Sequence, residues 1–158
     1  MHKPLHKPRL KRLDLVYTPN PIYFITTCTF HRARCLDCGE VHRAFVAFCD
    51  RATERHVFVG NYVLMPDHLH LFVAIQAPDF SLSTWIKSLK NTLSKTLRRM
   101  GQAAPHWQER FFDHLLRSEE PYQEKWRYVR ENPVGAGLVL RWEDWPYRGE
   151  VHQLELRL

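Results

Sequence analysis

No stretch of this chain approaches the roughly 20 consecutive apolar residues that a membrane-spanning helix requires, so no bilayer-crossing role is expected. It opens on charge rather than on an apolar run, which argues against a signal peptide or an anchor. Without an export signal, the four cysteines are expected to be reduced thiols in a cytoplasm, not two disulfides. The body contains no internal repeat, linker or low-complexity block. At 158 residues that leaves a single domain, able to bury roughly 70% of its unfolded surface without a disulfide or metal staple. Acid is in deficit: 17 Asp and Glu face 23 Lys and Arg, for a net charge of +6 with ten His in reserve. The excess favours a polyanionic partner without naming it. A hydrophobic share of 44% and a charged share of 25% exclude a largely disordered chain.

Residues 1–13, MHKPLHKPRLKRL, carry five Lys or Arg, no acid and two prolines, and read as a mobile basic arm or solvated tail rather than a helix. Ile22–Phe30 is β-branched and aromatic and predicts a strand. Between Glu40 and His56, Val41, Ala44, Phe45, Phe48 and Ala52 keep helical spacing. Strands are expected over Val57–Leu64 and His68–Ile75, hinged at Met65-Pro66-Asp67. Ser81 can cap a helix whose apolar stripe is Leu82, Trp85, Ile86, Leu89, Leu93 and Leu97, with Gly101 ending it. Trp107–Arg117 reads as a fourth strand or a short helix. A last helix is expected from Pro121 to near Asn132, where Pro133 stops it. The order β-α-β-β-α-β plus one helix predicts an α+β, ferredoxin-like antiparallel sheet with an additional C-terminal helix that carries a tyrosine. The expected organisation is an arm over 1–14, one domain over 15–148 and a tail over 149–158. Topology alone decides no chemistry.

His68-Leu69-His70 on a strand sends both imidazoles to one face, with Cα atoms roughly 7 Å apart, close enough to converge on one ion. Two solvated histidines on an exposed face are the plainer reading. Tyr128 and Asn132, four apart on a helix, share a face. A tyrosine hydroxyl can be a covalent nucleophile but needs a base or a metal-strengthened electrophile, and an Asn oxygen suits a hard cation. Equally, Tyr is a common helix residue and Asn before Pro a common terminator. Cys28, His31, Cys35 and Cys38 are four potential zinc ligands, although their spacing is tight for such a site and ordinary thiols are the plainer reading.

Several segments together are similar to the single-tyrosine HUH transposases, most closely their REP-associated subgroup. They are YFITT at 23–27, VLMPDHLHLFV at 63–73, WQERFFDH at 107–114, YVRENPVGAGLV at 128–139 and DWPY at 144–147. The resemblance covers roughly 15–148, and its specific part is His-hydrophobic-His after Met-Pro-Asp, followed later by Tyr-x-x-x-Asn-Pro-Val. It implies a transposase-type endonuclease and strand-transferase acting on single-stranded DNA near hairpins through a 5′-phosphotyrosine. It implies Tyr128 as nucleophile and His68, His70 and Asn132 as ligands of a divalent metal, magnesium or manganese. Gly135 departs from the Arg or Lys that relatives often carry there, which removes a phosphate contact. Relatives include homodimers and monomers.

Lys87, Lys90, Arg98 and Arg99 on the Ser81-capped helix are expected to bind DNA phosphates, although a solvated face would look the same. Glu124 and Glu131 flank Tyr128 without identifying a base, and His114 reads as a hydrogen-bonded structural residue. The alternatives are a noncatalytic, domesticated nucleic-acid-binding module and a zinc-dependent hydrolase. An RNA-binding version lacks the aromatic-rich RNP1 pattern, and the hydrolase leaves residues 128–139 unexplained.

Overall fold

A computed structural model describes residues 15–19, 21–77 and 79–156, with side chains from residue 18 onward. The basic arm expected over 1–14 lies outside the described residues. Strand β1 (Leu15–Thr18) leads into β2 (Ile22–Cys28), helix α1 (Gly39–Ala52) and the hairpin β3 (Val57–Leu64) and β4 (His68–Ile75). Helix α2 (Leu82–Arg99), β5 (Phe112–Leu116) and α3 (Glu119–Val129) follow. The short α4 (Asn132–Gly135), β6 (Arg148–Glu150) and β7 (Gln153–Leu156) complete the order. The main sheet runs β5-β2-β4-β3-β6 with every neighbour antiparallel. This is the ferredoxin-like arrangement with one extra edge strand.

Period-two alternation sorts the β4 side chains onto two cores. Leu69, Leu71 and Val73 face α1 and α2, packing with Phe45, Trp85, Ile86 and Leu89. Phe72 and Ala74 face the other way, toward Tyr122 and Val129 of α3. His68 and His70 share that second face. On β3 the pairing shifts between Val59 and Tyr62, so the strand changes which parity it turns toward the helices.

Helix α2 forms as expected: Ser81 Oγ accepts from Thr84 N at 3.3 Å. Its stripe from Trp85 to Leu97 is buried, each large side chain contributing about 2 kcal/mol of transfer free energy. Gly101, at φ 86°, ends it in the left-handed region.

Three expectations change. The fourth strand shrinks to Phe112–Leu116, because Trp107 makes only an isolated bridge to Thr29 and is tied by its Nε1 to Lys90 O and Ser94 Oγ, both at 3.1 Å. The last helix starts at Glu119, with Pro121 inside the first turn where a missing N–H costs nothing. It ends at Val129, so Tyr128 and Asn132 do not share one continuous helix. Pro133 has no N–H for the Val129 carbonyl four residues back. Asn132 Nδ2 donates to that carbonyl instead, at 2.9 Å. Finally, residues 148–156 are not a tail: β6 adds to β3, and β7 pairs in parallel with β1, burying Leu154 and Leu156.

Candidate active site

The turn between β3 and β4 is fastened from outside. Pro66 O accepts from the backbone N–H groups of Cys35 and Leu36 at 2.9 and 3.0 Å, and Asp67 O from Thr29 N at 3.0 Å and Thr29 Oγ1 at 2.9 Å. These bonds fix the point at which β4 begins, and therefore the direction of His68.

His68 Nδ1 lies 2.7 Å from Asp67 Oδ1. The carboxylate can only accept, so Nδ1 donates to it and in a neutral ring Nε2 carries the lone pair. Arg32 Nη2, which can only donate, stands farther from the same Nδ1 at 3.3 Å. Arg32 completes the support, with Nε at 2.9 Å from Asp67 Oδ2 and one terminal nitrogen 3.0 Å from Cys28 Sγ. Burial works against the charge of Asp67, but hydrogen bonds from His68 and Arg32 outweigh it and hold the carboxyl below the ordinary range. Arg32 reaches these partners from a backbone with φ 55°, directly after His31 at φ 51°. Two consecutive non-glycine residues in the left-handed region cost of order 1 kcal/mol each.

His70 Nδ1 lies 2.7 Å from Thr26 Oγ1, on the paired residue of β2. A hydroxyl donates or accepts, so Thr26 serves either tautomer. Burial, reinforced by the neighbouring His68 and Lys125 charges, pushes the His70 pKa down to about 3, against a hydrogen bond with the Asn132 side chain that raises it. His70 is therefore neutral at physiological pH, with a nitrogen lone pair available. Asn132 donates one amide N–H to Val129 O, and its side-chain oxygen remains an acceptor.

Tyr128 is 74% exposed and lines an open cavity of about 610 Å³ together with Arg32, Asp67, His68, Glu131 and Asn132. Lys125 Nζ stands 5.7 Å from the Tyr128 ring centroid and 4.8 Å from that of Phe24, which itself stacks on His70 at 5.3 Å. The tertiary fold thus brings Tyr128, His68, His70 and Asn132 to one place. It also adds Asp67, Arg32, Thr26 and Lys125, which sequence reasoning missed. Only Asp67 carried a signal there, as an acid immediately before the histidine pair.

A model of the family described as "Transposase IS200 like" matches residues 18–132. The chain belongs to the IS200-like transposase family. Within that family it is 26% identical over 144 residues to a Haemophilus influenzae protein named for the REP-associated tyrosine transposases, covering 83% of this chain and 80% of the relative. It is also 26% identical to the REP-associated tyrosine transposase of Escherichia coli K12 over 96 residues, 60% of this chain and 54% of that one. The fold is similar to a REP-associated tyrosine transposase solved bound to a REP hairpin. There the TM-score is 0.67 at 23% identity, covering 84% of this chain and 78% of that chain.

The four expected phosphate-binding residues lie elsewhere, on the solvent side of α2, and α2 covers the sheet face opposite the histidines. Lys90 Nζ donates to Gln108 O at 2.8 Å, and burial lowers its pKa. Lys87 and Lys90 line a groove with Glu109 and Arg110, and Arg98 and Arg99 a second groove with Arg51 and Lys95. His114, expected to be a hydrogen-bonded structural residue, is exposed on β5. Burial raises the pKa of the Cys35 and Cys38 thiols, so without a metal they rest as ordinary thiols. Among the described residues no three His, Cys, Asp or Glu side chains converge. Nor is any described helix long and apolar enough to cross a membrane.

Proposed function

We propose that this transposase-family chain is a metal-dependent single-stranded DNA endonuclease and strand-transferase, working beside DNA hairpins through a 5′-phosphotyrosine. The observation that carries the reading is a single cavity lined by the exposed Tyr128, His68 and Asn132, with the His70 ring centroid 4.8 Å from that of His68. The name of the hairpin-bound relative supplies the substrate class.

The donor set fits a divalent cation: two imidazole rings, each with one nitrogen held by Asp67 or Thr26 and the other available, and one amide oxygen. His68, His70 and Asn132 would hold magnesium or manganese, and the two His favour manganese. Such an ion, when bound, polarises phosphoryl oxygens and stabilises negative charge in the transition state. The Tyr128 oxygen attacks the phosphorus and loses its proton, one P–O bond forms, and the bond to the leaving 3′-oxygen breaks. That oxygen departs as a 3′-hydroxyl once protonated. Because the phosphotyrosine keeps the ester, attack by another 3′-hydroxyl reverses the step and joins strands. Arg98 and Arg99, with Arg51 and Lys95, would contact phosphates on the far layer, away from the scissile bond.

The test is a denaturing-gel assay with labelled single-stranded hairpins from the flanks of this protein's own gene, with manganese, magnesium or chelator. A metal-dependent covalent adduct is expected, lost in Tyr128→Phe while DNA binding persists. Binding without any adduct would instead make the chain a domesticated binding module.

A further inference from the structure

We propose that Phe112 is a stacking site for one unpaired nucleobase of the strand being cut. This inference rests on the DNA-nicking reading above and deepens it by placing a base beside the reacting phosphate. Phe112 opens edge strand β5 and is 60% exposed, whereas Leu116, four residues on along the same face, is buried.

Register decides where the ring stands. Phe112 pairs with Thr26, and Thr26 pairs with His70, so the three lie in one row across the sheet. Paired residues in an antiparallel sheet project to the same face. That face is the catalytic one, because Thr26 Oγ1 bonds the His70 ring. Two strand spacings separate Phe112 from His70, about 10 Å, which a nucleotide or two of extended strand can span.

A solitary exposed phenylalanine is ordinary on a protein surface. What distinguishes Phe112 is its surroundings. The neighbouring row pairs Phe24 with the exposed His114, and Lys125 Nζ stands over Phe24 at 4.8 Å and near Tyr128 at 5.7 Å. An ammonium for the backbone beside an aromatic face for a base is the pairing that single-strand-binding surfaces use. Tyr128 lines the cavity and Phe112 stands on the same sheet face, one row along the sheet from His68, so a strand crossing the site reaches Phe112 without leaving that face.

The test uses the full chain carrying Tyr128→Phe, so that DNA stays uncut, and the same hairpin oligonucleotides with 2-aminopurine placed at successive unpaired positions. One or two adjacent positions should be quenched on binding, brighten with Phe112→Ala and stay quenched with Phe112→Trp. Affinity should fall roughly 5- to 150-fold with the alanine, the range for loss of one base–aromatic stack. A fluorescence profile identical in Phe112→Ala overturns the proposal. So does a change in sedimentation of the DNA-free protein with that unchanged profile, since Phe112 would then pack against a second copy. The adduct assay separates the two readings: an adduct with no Phe112-dependent quenching removes only the stacking site. Phe112-dependent quenching with no adduct keeps the stacking site and removes the nuclease.

Discussion

At the scale of single residues, the orientation of His68 depends on its neighbours. Arg32 and Asp67 hold His68 in one tautomer, and loss of such support typically costs 10- to 100-fold in metal affinity or activity. Arg32→Ala should therefore slow single-turnover adduct formation by about that factor, with a higher manganese requirement, while Arg32→Lys recovers only part. Unchanged manganese dependence in Arg32→Ala would refute the positioning role. His70 makes a stability prediction. Its folded-state value of about 3 lies below the ordinary 6.5, so from pH 6.5 downward the unfolded chain binds a proton that the folded one refuses. Stability is full above pH 6.5 and declines toward pH 3, by up to about 1.4 kcal/mol per pH unit. Asp67, with its lowered value, adds the same sign only below about pH 4. Urea midpoints between pH 7 and 4.5, with chelator, should show His70→Gln flattening this slope. His42, also lowered by burial, leaves a residual slope in the variant.

At the scale of elements, the junction of α3 and α4 shows how one proline shapes chemistry. Pro133 deprives the Val129 carbonyl of its donor, and Asn132 answers with its side-chain amide, which holds that side chain near His70. The Asn-Pro pair was legible in the sequence as a helix stop. Its second consequence was not, because that needs His70 on a strand 62 positions earlier in the chain to be in place. Helix α2 was legible nearly to the residue, since its cap, stripe and terminating glycine are all local signals. Ser81→Ala should lower its stability contribution by about 1 kcal/mol, read as a shift in urea midpoint without a change in slope.

At the scale of the whole molecule, the C-terminal segment closes the second core. Gly60 passes so close to it that an added Cβ would meet Leu154 Cδ1 at 2.8 Å and the Tyr122 hydroxyl at 3.0 Å. That hydroxyl accepts from Asn61 Nδ2 at 3.1 Å, so a polar link crosses the same junction. Leu154→Ala should cost about 2–5 kcal/mol, as a buried leucine deletion does. Differential scanning calorimetry on the full chain would detect it. A melting temperature unchanged by this substitution would mean that 148–156 is peripheral after all.

What the sequence determined by itself was the succession of elements and four candidate residues for the proposed site, His68, His70, Tyr128 and Asn132. Apolar period, caps and turn residues are encoded within a few positions, and the histidine pair and Tyr-x-x-x-Asn-Pro carry a family resemblance. Only the tertiary structure decided which groups stand around them. Strand register set Thr26 beside His70 and Phe112 in the same row. The turn fastened by Thr29, Cys35 and Leu36 aimed Asp67 and His68. The layering put the basic face of α2 on the far side of the sheet from Tyr128. These are contacts between residues far apart in the chain, and local periodicity carries no information about them until the core that joins them has packed.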